Sequence, residues 1–303
     1  MFVHSFRITT GERVFRVCNY VFLALLAFVT LYPFWYIIQS SLTDPVFRFS
    51  LFWPKGAYWG NYWLVFTTEG LGRSYIITVL RVITAVPMML LVTGAAAFAL
   101  TRRELKGRKI IIFYYFIPMF ISGGLIPYYM LLKTIRLLNT FWVFVFPMVF
   151  SVWTMIVMKT SFQGLPDGLV EAGLLDGASY GRIFFSIILP LSIPMISTLA
   201  LFQAVWHWND WFVGSFFIKD KKLLPIQSFL RYALGDIAYH KGYASGNPEE
   251  YTQDPRIILQ LKKVTAESVK KAFIVVTTIP ILLVYPFIQR FFIKGVLIGS
   301  IKE

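Results

Sequence analysis

The sequence holds a single cysteine, Cys18, three histidines and only 15 acidic residues among 303 positions. One cysteine excludes an internal disulfide and a cysteine-rich metal centre, and leaves Cys18 as a small apolar residue in a helix. His4, His207 and His240 show no ligand spacing, so none announces a metal or a catalytic base; His207 reads as an interfacial or packing histidine. Charge is scarce too. Only 15% of residues are Asp, Glu, Lys or Arg, against roughly a quarter in soluble domains, too little to coat a globule of this size. No G-x-x-x-x-G-K-[ST] phosphate loop, heptad, coarse repeat or low-complexity tract occurs. The alternation over about ten residues that marks a membrane barrel is missing as well.

What is abundant is apolar. Hydrophobic residues make up 57% of the chain, and the mean hydropathy is +0.65. Six nearly uncharged runs stand out, at about 17–40, 74–101, 110–132, 137–160, 183–212 and 270–293. A helix needs about 20 apolar residues to cross about 30 Å of hydrocarbon. These runs predict an all-α integral membrane helical bundle with six transmembrane helices, since helices are the spanning structure left. The first run follows Arg7, Arg13 and Arg16, but it is too long for the apolar core of a signal peptide. Asp44 and Pro45 follow it instead of a cleavage site, so it is expected to stay as an anchor. Pro33, Pro87, Pro118, Pro127, Pro147, Pro194, Pro280 and Pro286 lie in or beside the runs, as plain kinks or as hinges.

The net charge of +14 comes from 29 Lys and Arg against 15 acids. Arg102, Arg103, Lys106, Arg108 and Lys109 crowd the link between the second and third runs, whereas the next link holds only Lys133 and Arg136. Short basic loops stay in the cytoplasm. That rule puts the N-terminal segment 1–16 and the C-terminal tail 298–303 inside, with 17–297 as the transmembrane domain. A long segment, 215–269, then lies outside and is itself rich in Lys and Arg. The basic balance is therefore a topology signal with one outward-facing basic segment, and nucleic acid is not an expected partner. Arg81, within the second run, either snorkels to the outer surface or lines a path.

The cytoplasmic link 165–182 is too long for a simple connector. Pro166 and Asp167 suit a helix start, with proline presetting φ and Asp capping free amides. Small Ala172 and Gly173 follow, and Gly177 suits the stop. The expected result is a helix of two or three turns at the membrane surface. Leu169, Leu174 and Leu175 supply its apolar contact, and Glu171 and Asp176 leave it acidic on a basic side.

The spacing Glu171-Ala172-Gly173-x3-Gly177-x9-Ile187-x-Leu189-Pro190 resembles the signature loop of the permease subunits of bacterial ABC importers. The one departure is Gly173, where the family usually has a second Ala. The resemblance implies a type I ABC importer permease fold and a bacterial cell membrane location. It makes the 165–182 helix a coupling helix that seats in a groove of a separate ATPase subunit. Glu171, Ala172, Gly173, Asp176, Gly177 and Ala178 are its candidate coupling residues. It also implies partners: a second homologous permease, two copies of an ATP-binding subunit and an extracellular solute-binding protein. No catalytic residue, metal or cofactor is expected in this chain, since ATP and Mg would sit on the ATPase subunits.

The cluster Trp206, Trp208, Asn209, Asp210 and Trp211 looks like that of carbohydrate-uptake permeases, specifically the second permease of maltose-type importers. Ser122-Gly123-Gly124-Leu125-Ile126-Pro127 and Leu137-Leu138-Asn139-Thr140-Phe141-Trp142 look like the LplC-like branch, the polysaccharide and complex-oligosaccharide permeases. These residues suit either a sugar path, with rings stacking on pyranoses, or an interfacial aromatic belt. The basic stretch Lys219 to Lys271 suits a solvated loop, or a docking surface for the binding protein with a bias to acidic saccharides. Gly246-Asn247-Pro248-Glu249-Glu250 would be its exposed tip. An ion-coupled carrier would need paired intramembrane acids and inverted repeats, and a membrane glycosyltransferase would need clustered acids or histidines; neither pattern is evident.

Overall fold

The computed structural model describes residues 10–44, 52–54, 56–239, 267–280 and 282–283. Among them the regular structure is helical, save one isolated bridge between Thr43 and Ala57. The chain divides into two units, 1–67 with 237–276 and 68–236 with 277–303.

The first unit carries α1 (Thr10–Leu42) and α2 (Gly60–Thr67). α1 inverts the soluble pattern. It exposes Leu25, Leu26 and Phe28, and its buried residues are Gln39 and Ser41. Apolar outside and polar inside is the pattern of a helix solvated by lipid. At its buried polar end Ser41 is tied up with donors and acceptors, as a low-dielectric site requires. Ser41 Oγ lies 2.6 Å from the Tyr62 hydroxyl, and Asn61 Nδ2 donates to the Ser41 carbonyl at 2.9 Å. Ser268, on the helix 267–280, donates its hydroxyl to Asn61 Oδ1 at 2.9 Å.

The second unit begins with α3 (Leu71–Ala99), which stays helical through Pro87. α4 (Arg108–Phe120) and α5 (Leu125–Thr134) follow, then two 3-10 turns, Phe141–Phe144 and Phe146–Met148, and α6 (Val152–Gln163). Next come α7 (Gly168–Leu175), α8 (Tyr180–Ile183), a π turn Phe184–Ile188 and α9 (Leu189–Leu191). α10 (Ile193–Asn209) and α11 (Phe212–Phe217) follow, and α12 (Ile226–Tyr239) begins in this unit. α3 packs against both α6 and α10. Their shared core holds Met89, Ala97, Met155, Met158 and Leu199. Gly94 lets α6 come close, since a Cβ there would sit 3.1 Å from Met158 Cε.

The first two runs fold as expected, as helices long and apolar enough to span a bilayer. The helix of the first run starts earlier than expected, at Thr10, and takes in Arg13 and Arg16. The third, fourth and fifth runs are not straight spans. α4 and α5 meet at 117°, Phe141–Met148 and α6 at 49°, and Tyr180–Leu191 and α10 at 82°. Each break has a local cause. Gly124 adopts φ +80 before α5, and Pro127 fits the first turn that follows. Pro147 leads a 3-10 turn, and Ser151 caps α6 by accepting from the Thr154 amide at 3.3 Å. Ser192, with Pro190 and Pro194 on either side, ends α9 and starts α10.

The sixth run is helical at 267–280 and 282–283, and the rest of it, to 293, lies outside the described residues. Also outside them are 1–9 and 298–303, and 240–266 with His240 and the expected tip Gly246 to Glu250. The described start of the segment expected outside is partly helical: α12 buries Ile226, Phe229 and Ala233 on one face, while Lys219, Lys221, Lys222 and Arg231 are exposed.

Candidate functional site

The expected surface helix is α7, eight residues long. Its C-terminus is a Schellman motif. The Gly177 amide bonds the Leu174 carbonyl at 3.0 Å, the Ala178 amide bonds the Gly173 carbonyl at 2.9 Å, and Gly177 has φ +75. Gly177 is therefore the residue the stop requires. The N-terminus differs from expectation. Asp167 is itself helical and makes no side-chain cap. Its carboxylate faces Arg103 at 3.8 Å instead, and both side chains are largely in solvent. This pair is worth little in energy. It does bring the links 100–107 and 164–179 to one end of the unit.

α7 turns Val170 and Gly173 inward, rather than the leucines expected to make its apolar contact. Val170 joins the core cluster with Phe98, Phe162, Ile183 and Phe184, and Leu165, Leu105, Ala178 and Ile187 pack around it. A Cβ on Gly173 would meet Ile183 Cγ1 at 3.0 Å and Ile187 Cδ1 at 3.5 Å. That closeness gives a physical reason for Gly at this position. Gly173→Val is expected to cost about 2–3 kcal/mol by overpacking, read as a fall in Tm. The opposite face is bare: Glu171, Ala172, Leu174, Asp176 and Gly177 are exposed, and Leu175 is 89% exposed. α7 is thus a firmly seated helix with a free acidic and apolar face.

The second candidate cluster straddles the end of α10. Asp210 is extended (φ −71, ψ 110) and breaks the chain between α10 and α11. Its two carboxylate oxygens have separate tasks. Oδ1 accepts from the Phe212 amide at 2.9 Å and the Val213 amide at 3.4 Å, starting α11. Oδ2 takes Arg81 Nη2 at 2.5 Å. Arg81 is fully buried, so it neither snorkels nor lines an open path in this conformation. Its Nε donates to His207 Nδ1 at 3.2 Å, and its guanidinium lies over the Phe144 ring at 4.8 Å and the Trp206 ring at 6.0 Å. His207 is a packing histidine, 1% exposed, whose Nδ1 accepts and is therefore unprotonated. An intramembrane charge is held here by a full set of partners, as burial demands.

The remaining members of the cluster diverge. Trp206 and Trp211 are each 44% exposed and Asn209 is exposed, while Trp208 turns toward Tyr75, with ring centroids 6.3 Å apart. Trp208 Nε1 is buried without an acceptor among the described residues. Nearby, Asn139 has φ +58 and acts as a clamp. Its amide bonds the Phe217 carbonyl at 2.9 Å, and its Oδ1 accepts from the Lys219 and Asp220 amides at 2.9 and 2.8 Å. Asn139 stands out in the sequence only as part of a pattern, and nothing in the sequence pairs Arg81 with Asp210.

The chain belongs to the family of binding-protein-dependent transport system inner membrane components, whose pattern matches residues 5–298. Protein LplC of Bacillus subtilis (strain 168) is 36% identical over 307 residues, covering 99% of both chains. The polygalacturonan/rhamnogalacturonan transport system permease protein YtcP of the same organism is 32% identical over 301 residues, covering 96% of this chain and 99% of its own. The fold matches a chain in the crystal structure of a bacterial ABC transporter involved in the import of the acidic polysaccharide alginate. The TM-score is 0.82 at 23% identity, over 94% of this chain and 98% of that one. The protein is an ABC transporter permease of the inner membrane, with the all-helical type I architecture among its described residues.

Proposed function

We propose that this chain is the transmembrane permease subunit of an ATP-driven importer that takes up oligosaccharides or polysaccharide fragments by alternating access. It pairs with a second, homologous permease. Two ATPase subunits dock from the cytoplasm and hydrolyse ATP with Mg, and an extracellular binding protein delivers the sugar. Six spans with both termini in the cytoplasm fit this arrangement, and the Arg103–Asp167 proximity supports placing the two basic-side links together.

The observation that carries the reading is α7: a helix seated in the core by Val170 and Gly173, closed by Gly177, with Glu171, Ala172, Asp176 and Leu175 facing out. Such a helix moves as a rigid body when a partner holds its outer face. The partner's motion reaches the bundle through Val170 and Ile183, which share one core with Phe98 at the end of α3. Arg81 sits on the same helix, and 17 residues at 1.5 Å each separate it from Phe98 by about 25 Å. ATP-driven closure moves α7, α3 carries the movement, and the region around Trp206 and Trp211 opens to accept sugar. The coupling is a free energy shared between two sites, and it is reciprocal.

The substrate class we infer is acidic saccharides. The expected outer segment is basic, YtcP is named for polygalacturonan and rhamnogalacturonan, and the alginate transporter for an acidic polysaccharide. Calorimetry of the cognate binding protein tests this directly. Binding of oligogalacturonate with neglect of neutral oligosaccharides is expected; the reverse preference would sink the acidic-substrate reading.

A further inference from the structure

Beyond the Asp210 break the chain builds a surface next to the region around Trp206 and Trp211 that is proposed to accept sugar. The Trp211 carbonyl accepts from the Ser215 amide at 3.2 Å, the Ser215 hydroxyl at 2.7 Å and the Ser228 hydroxyl at 2.9 Å. Gly214 presses against the turn into α12, since a Cβ there would overlap the Ser228 side chain and lie 2.9 Å from Pro225 Cδ. α12 is pinned from its other side: the Ile226 amide donates to the buried Thr78 hydroxyl of α3 at 2.8 Å. The outer face of this elbow carries Arg231, whose guanidinium lies 4.1 Å from the Trp211 ring centroid and 5.8 Å from that of Phe216. Trp211 is 44% exposed and Phe216 43%. One residue on, Tyr232 carries Lys221, whose ammonium lies 4.4 Å from its ring centroid. Among the described residues Arg231 forms no ion pair.

We propose that Trp211, Phe216 and Arg231 form a carboxylate-selective saccharide subsite that holds one uronate unit of the incoming chain. A pyranose offers an apolar C–H face, which stacks on an exposed indole. A uronate adds a carboxylate at the ring edge. A guanidinium stacked on an aromatic ring keeps its in-plane N–H donors free, and their fork matches a carboxylate bidentately. The rings fix the guanidinium in advance, which lowers the ordering cost of binding. An anionic lipid headgroup would meet the same charge. However, α12 is anchored in the helix bundle rather than lying loose at the interface, and its cation is held against rings instead of reaching outward as a snorkelling side chain does.

The subsite rests on the importer reading, so the test separates the two. The full complex, with second permease, ATPase and binding protein, is reconstituted in neutral and in anionic vesicles. Uptake of trigalacturonate and of its methyl ester, which lacks the charge, is then measured. Loss of one bidentate carboxylate contact in Arg231→Gln is expected to raise the KM for trigalacturonate about tenfold and leave the ester unaffected, with partial recovery in Arg231→Lys. Assembly with the second permease, read by co-purification, is expected to match wild type. Equal losses on both substrates, a defect confined to anionic vesicles, or failure to assemble with the second permease would each overturn the subsite. Normal uptake by Arg231→Gln overturns the subsite alone, whereas wild-type protein that moves no trigalacturonate overturns the acidic-substrate reading with it.

Discussion

Asp210→Ala is expected to lower the stability of the protein by about 3–5 kcal/mol, because it strands the fully buried Arg81 guanidinium without its carboxylate. The carboxylate is 2.5 Å from Arg81 Nη2, and the two side chains are 8% and 0% exposed. About 1 kcal/mol of the loss comes from the start of α11, which Asp210 also caps. The paired change Arg81→Met with Asp210→Leu removes both charges and leaves an apolar contact. Its expected stability lies within about 2 kcal/mol of wild type, since a buried pair as a whole adds little over well-packed hydrophobic residues. Thermal unfolding in lipid nanodiscs ranks the three proteins. If the single and double variants melt together, the pair is not the pin described here. The double variant also separates stability from function. It is expected to fold yet transport poorly, because the break that presents Trp206 and Trp211 has lost its fixed geometry.

Leu175→Asp acts at the other end and in the opposite manner. Leu175 touches almost nothing within its own chain, so its replacement leaves Tm unchanged. Seated in an ATPase groove, it would bury a whole leucine, worth about 1.5–3 kcal/mol, and a carboxylate there would add a desolvation cost. Substrate-stimulated ATPase activity of the complex is expected to fall by a factor of about ten or more, with uptake lost in parallel. Unchanged stimulation would remove α7 from the coupling surface.

Local signals were readable and non-local ones were not. Hydropathy placed the apolar runs, and the small-residue stretch with Gly177 placed α7 and its stop, because a helix end and its left-handed residue are written within six positions. The bends inside three runs were harder. Gly124, Ser192 and Pro147 are each ordinary in isolation, and hydropathy averages over them. Composition points to a cap at Asp167, but its backbone is helical and its side chain faces Arg103. The Arg81–Asp210 pair joins positions 129 apart, and no periodicity spans that distance. An arginine in an apolar run needs a partner, and Asp210 was one of few acids on offer. The choice between them required the packing of α3 on α10.

In the proposed importer α7 transmits the state of a partner ATPase to a sugar path in this chain. Uptake of radiolabelled oligogalacturonate into proteoliposomes holding the complete complex tests it, with wild type and Glu171→Lys side by side. Accumulation is expected to require both ATP and the binding protein, and the Glu171→Lys complex is expected to assemble but accumulate little. Uptake that proceeds without ATP, and equally well in Glu171→Lys, would contradict it.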